Sequence, residues 1–103
     1  MRTYIKKDVV EKVYSQLGEE VGDIKQISTI VNETFSALRE IMSQDNSECR
    51  IEIRNFGVFE VKKTKAKPKA RNPKTNEIIY VPPRRKTHFK PGKLLQDSLK
   101  QPL

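Results

Sequence analysis

The tract from Lys62 to Lys69, KKTKAKPK, has almost no apolar residues, so no core can be built from it. It runs into KARNPKTNE at residues 69–77. There Pro73 cannot donate to a β ladder, and Asn76 readily takes up turn geometry. The run Ile78-Ile79-Tyr80-Val81 follows and offers a pairing partner across that turn. The whole reads as a two-stranded ribbon projecting from a body built elsewhere. Pro68, Pro82 and Pro83 would break a central strand but fit a ribbon with two free edges. From Val61 to Pro73 the strand reaches roughly 40 Å at about 3.3 Å per residue. An isolated hairpin is marginal in water, so this arm is expected to gain order on a partner.

Charge is concentrated in the same place. Residues 62–93 hold 12 Lys/Arg and one acid, Glu77, whereas residues 1–61 hold 8 Lys/Arg and 11 Asp/Glu. The overall charge of +8 therefore resides in the arm and the return from it. A segment of one sign repels itself and calls for a polyanion. The blander reading is a disordered basic loop.

At 103 residues, 35% of them hydrophobic, the chain is expected to form a single domain with a thin core. Its parts are body helices and the start of a hairpin over 1–61, a basic β arm over 62–88, and a C-terminal helix over 89–103. A partner subunit would thicken the core. One cysteine, Cys49, excludes an internal disulfide and suits a reducing compartment. No apolar run reaches signal-peptide or membrane-spanning length, so a cytoplasmic protein without a membrane partner is expected.

The body is helical by its periodicity. Ile5, Val9, Val13 and Leu17 recur every four residues beside Val10 and Tyr14, and Gly18 stands where a helix-ending residue belongs. Asp23 with Gln26 three residues later has capping-box spacing. From Ile24 through Ile27, Ile30, Val31, Thr34, Phe35, Leu38, Ile41 and Met42 the helical period holds for about five turns. The first helix is too small to cover that stripe, and a second copy of the long helix would supply the rest. Asp45-Asn46-Ser47 ends it. In CRIEIRNFGVFEV, Cys49, Ile51 and Ile53 alternate with Arg50, Glu52 and Arg54 as a half-buried strand. Asn55-Phe56-Gly57 makes the turn, and Val58–Val61 starts the return strand.

After the arm, Phe89 is the first large apolar residue and is expected to plug into the core. Pro91-Gly92 should start a short helix carrying Leu95 and Leu99. Lys90 and Lys93 flank its start, where cations oppose the helix dipole, so helix stability does not explain them. Lysines beside the backbone donors of a helix start suit a phosphate.

Enzymatic residues do not assemble in this sequence. His88, the sole histidine, has no companion at ligand spacing, Cys49 reads as a small strand hydrophobe, and the four glycines make no phosphate loop. No enzyme, metal or cofactor is expected.

NFGVFEV, RNPKTNE and FKPGKLL, in this order, resemble the HU / integration host factor family of bacterial DNA-bending, histone-like proteins. The resemblance covers essentially the whole chain. It implies an α+β fold: an intertwined helical dimer body with a small β-sheet and a long two-stranded β arm per subunit. It also implies a homodimer or a heterodimer with a related subunit, bound to double-stranded DNA in the nucleoid. By the same resemblance, Pro73 matches the tip proline that wedges between base pairs, and Arg71 and Asn72 match its minor-groove neighbours. Lys90 and Lys93 match positions that touch backbone phosphates, while Phe56, Phe59 and Phe89 match the aromatic cluster at the arm's root.

The remaining DNA-binding candidates are Lys62, Lys65, Lys67, Lys69, Lys74, Arg84, Arg85 and Lys86, whose charges neutralise phosphates without reading sequence. Arg84 and Arg85 look more like the integration-host-factor type. This chain has Ala70 where the family usually has glycine before Arg-Asn-Pro, and Asn76 where glycine follows the threonine. The outgoing arm strand is one residue longer than the family's common pattern, which suggests a bulge at Lys69. An RNA-binding or ribosome-associated basic protein is the alternative. Single-strand recognition, however, wants aromatic platforms, and Tyr80 is the arm's only aromatic residue before Phe89.

Overall fold

The computed structural model describes residues 1–45 and 47–103; Asn46, part of the expected helix break, lies outside the described residues. In chain order the elements are α1 (Lys6–Leu17), α2 (Ile24–Ser43), β1 (Cys49–Ile53), β2 (Gly57–Lys63), β3 (Lys67–Arg71), β4 (Ile78–Val81), β5 (Arg85–Pro91) and α3 (Lys93–Leu99). The class is α+β. Two compact units result, Met1–Ser43 and Gln44–Leu103.

In the helical unit, both helices start on side-chain acceptors. Ile5 precedes α1 and has no acceptor of its own, yet its N–H donates to Asp8 Oδ2 at 2.7 Å, which is half of a capping box. At α2 the box is complete: Asp23 N–H donates to Gln26 Oε1 at 2.9 Å, and Gln26 N–H to Asp23 Oδ1 at 2.8 Å. α1 ends at Gly18 with φ 75° and ψ −179°, a region essentially reserved for glycine. The core joins Val10 of α1 to Ile27 and Val31 of α2, with Val13 and Tyr14 packed alongside. That covers only part of the apolar stripe. Ile24, Ile30, Phe35 and Ile41 remain exposed, Phe35 by 45%.

The second unit is a three-stranded antiparallel sheet in the order β1-β2-β5 plus a two-stranded sheet of β3 and β4. β1 turns into β2 through Asn55 at φ 66°, with Phe56 N–H donating to the Ile53 carbonyl at 3.1 Å. Gly57 follows because a Cβ there would lie 2.5 Å from the Lys90 carbonyl oxygen and 2.7 Å from the Phe89 ring. Strand alternation then sorts the side chains. Ile51 lies opposite Phe59, and Phe59 opposite Phe89, so these share one face with Cys49, Ile53 and Val61. The rings of Phe56, Phe59 and Phe89 form a cluster with centroids 4.8–6.3 Å apart.

Three expectations need correction. Phe89 does not plug into a closed core; it is 39% exposed, because β5 is an edge strand of a single-layer sheet and one protomer covers only part of its ring. Nor is the arm one continuous ribbon from the body. The ladder pauses between Lys63 and Lys67, opposite Pro82 and Pro83, which have no N–H to donate. Thr64 spans the pause: its N–H donates to the Arg84 carbonyl at 2.7 Å, and its hydroxyl accepts the Arg84 N–H at 3.0 Å. Finally, the last helix starts at Lys93 rather than at Pro91-Gly92. Pro91 closes β5, and Gly92 is the cap, its N–H donating to the Phe56 carbonyl at 2.8 Å.

Candidate nucleic-acid interface

The face of the sheet opposite the phenyl rings is charged. Its residues are Arg50 and Glu52 from β1, Val58, Glu60 and Lys62 from β2, and Lys86, His88 and Lys90 from β5. Of the expected site residues, this face gathers Lys62, Lys86 and Lys90. Lys62 and Lys86 stand directly opposite each other, a like-charge pair that costs stability and therefore needs another reason to exist.

Glu60 anchors the group. It is 9% exposed, with Lys90 Nζ 2.7 Å from its Oε1 and Lys62 Nζ 3.8 Å from its Oε2. The hydrogen bond from Lys90 holds its carboxyl below the ordinary 4.5. Burial pulls the other way and is outweighed, with the charges of Lys62, Lys90 and Arg50 assisting. Arg50 Nε is itself 3.3 Å from Glu52 Oε1. Arg50 and Glu60 were not among the expected site residues. The alternation that places Ile51 and Phe59 inward places these two outward, and that was the signal available.

The arm carries a second set. Lys67, Lys69 and Arg71 lie along β3, all exposed. Lys67 pairs with Val81 and Ala70 with Ile79, three steps against two, so one extra residue lies between them. The bulge expected at Lys69 falls in that interval. At the tip, Asn72 N–H donates to the Glu77 carbonyl and Asn76 N–H to the Asn72 carbonyl, both at 2.7 Å. Asn76 takes φ 61°, as its side chain permits. Asn72 Oδ1 accepts the Lys74 N–H at 2.9 Å, so this oxygen shapes the turn. Pro73 and Lys74 are exposed at the end of the arm.

The other expected residues are dispersed. Lys65 and Arg84 lie in the pause between the two sheets. Arg85, on the opposite side of β5 from Lys86, is half-buried and donates to the Ser47 carbonyl at 3.3 Å. Lys93 is exposed at the first position of α3. Among the described residues, no group of three or more His, Cys, Asp and Glu could hold a metal ion. No helix among them is long and apolar enough to cross a membrane.

Comparison with known proteins gives one answer. The family described as bacterial DNA-binding protein matches residues 4–100. DNA-binding protein HU of Thermotoga maritima is 34% identical over 95 residues, spanning 92% of this chain and 98% of that protein. The HU chain of an Anabaena HU–DNA cocrystal structure shares 27% identity at a TM-score of 0.76, covering 96% of this chain and 100% of that one. The chain therefore belongs to the HU family of bacterial DNA-binding proteins.

Proposed function

We propose that this chain is an architectural protein of the bacterial nucleoid that binds and bends duplex DNA as a dimer. One observation carries the reading. Within one unit, a charged sheet face holding Lys62, Lys86 and Lys90 is followed by an arm whose tip carries exposed Arg71 and Pro73 on either side of half-buried Asn72. Lysines on the sheet and along β3, with Lys65, Arg84 and Lys93, neutralise phosphates and set position. Arg71 and the Asn72 amide suit the acceptor-rich floor of a minor groove about 6 Å wide. Pro73 brings an apolar ring without an N–H, so entering a base step leaves no donor unsatisfied. No group in this set performs bond chemistry on the nucleic acid.

The dimer follows from the uncovered stripe on α2 and from Phe89 at the sheet edge, both of which a second protomer, identical or related, would cover. The test is affinity for a duplex against single-stranded RNA across salt. With about 6–10 phosphates neutralised per dimer, duplex affinity should fall roughly 10³–10⁵-fold between about 50 and 200 mM salt. Tighter binding to the RNA, or a duplex affinity indifferent to salt, overturns the proposal.

A further inference from the structure

The charged face contains one acid that phosphate binding does not explain. Glu60 lies on the central strand β2 and is 9% exposed. Facing it are Arg50 from β1, Lys62 from its own strand, and Lys86, His88 and Lys90 from β5. Its Oε1 is closed to solvent, and the Lys90 ammonium at 2.7 Å is what compensates it. The Lys90 side chain, by contrast, is 65% exposed and would be well solvated alone. The pair is therefore unequal. A carboxylate left buried without its partner is costly, while a solvated ammonium is not. A phosphate that draws Lys90 to itself strands Glu60 and also approaches a like charge.

We propose that Glu60 is a built-in counter-charge that competes with DNA phosphates for Lys90 and Lys62, limiting both the affinity and the salt dependence of the sheet face. The inference rests on the duplex-binding reading above. Glu60 is in this sense a positioning residue: it holds the two ammonium groups in the absence of DNA and weakens their hold on it.

Duplex binding by Glu60→Gln tests this. Glutamine keeps the size and one carbonyl acceptor but removes the charge. Affinity should rise about two- to fivefold at about 100 mM salt, the fold-change a partly solvated ion pair is worth. The log–log salt slope should steepen by up to about 0.9 per protomer. Glu52→Gln is the matched control: it removes one charge from the same face, where the side chain is 70% exposed and solvated. Its effect should be smaller. In a background carrying both Lys62→Gln and Lys90→Gln the two acid substitutions should become equivalent. Weaker binding by Glu60→Gln, or equal effects of the two acids in both backgrounds, overturns the inference.

Should Glu60→Gln fail to fold, the unaltered protein decides. In a carbon-13 titration the Glu60 carboxyl, held below its ordinary value in the free protein, should shift upward on a short duplex, as phosphate takes Lys90. A midpoint that does not rise on binding contradicts competition. A wild type that binds no duplex defeats the functional reading itself, whereas duplex binding with an inert Glu60 defeats only this inference.

Discussion

The two faces of the β1-β2-β5 sheet are made by alternate residues of the same strands, yet they call for different partners. One carries Ile51, Phe59, Val61 and Phe89; the other carries Arg50, Glu60, Lys62, Lys86 and Lys90. The apolar face is incomplete because it needs more protein, as the exposed Phe89 indicates. The charged face is incomplete because its cations outnumber its acids, so it needs negative charge. The first deficit concerns stability and the second concerns binding. Substitutions on the two faces should therefore separate those properties.

The largest effect should come from charging the apolar surfaces. Phe59→Asp replaces a ring whose centroid lies 4.8 and 6.3 Å from those of Phe89 and Phe56 with a carboxylate and should cost about 4 kcal/mol or more, leaving no cooperative melt. Phe35→Asp on α2 should unfold the chain or split the dimer, because that side chain is 45% exposed in one protomer and has its place in the proposed dimer contact. Light scattering and a thermal melt that report the same mass and melting temperature as wild type would contradict the stabilising role of the apolar surfaces.

Next is the charged face. Lys62→Gln, Lys86→Gln and Lys90→Gln together relieve the Lys62–Lys86 repulsion but strand Glu60, so the two changes oppose each other and the net effect on melting should be small beside that of Phe59→Asp. Duplex affinity, however, should fall about 10–100-fold at about 100 mM salt, with the slope flatter by about 0.9 for each phosphate no longer neutralised. A large loss of stability without a change in slope would reverse the roles assigned to the two faces.

The smallest effect is in acid. The folded-state pKa of Glu60 lies below 4.5, so its contribution to stability is present above its unfolded value and disappears as pH falls through the folded one. At about pH 7, Glu60→Gln should melt below wild type. That gap should close as pH falls through the lowered folded-state value, and a gap independent of pH would show that the Glu60 charge does not stabilise the fold.

Periodicity made the elements legible in the sequence. The capping box at Asp23 and Gln26, the glycine end at Gly18 and the alternation in CRIEI each follow from local chemistry, and each is present. The bulge near Lys69 followed from counting residues against a familiar pattern. What the sequence did not disclose depends on pairing between distant strands. Lys62 could be read as basic, but its position opposite Lys86 depends on the β2–β5 register. Glu60 is distinguished from the other acids only because the fold brings Lys90, thirty residues on, to 2.7 Å. Phe89 read as core because large and apolar usually means buried; that rule assumes a chain that closes its own core.

We propose that this protein bends the duplex it binds and that the arm tip holds the bend. End-to-end energy transfer on a doubly labelled duplex, at saturating protein, measures it directly. Wild type should raise transfer above that of the naked duplex. Pro73→Ala keeps every positive charge, so it should still bind, but without the ring transfer should fall back toward the naked value, because a bend costing roughly 1–6 kcal/mol is no longer offset. Saturated wild-type complexes with the transfer of naked DNA would contradict the bending claim, and equal transfer for wild type and Pro73→Ala would reduce Pro73 to a turn residue.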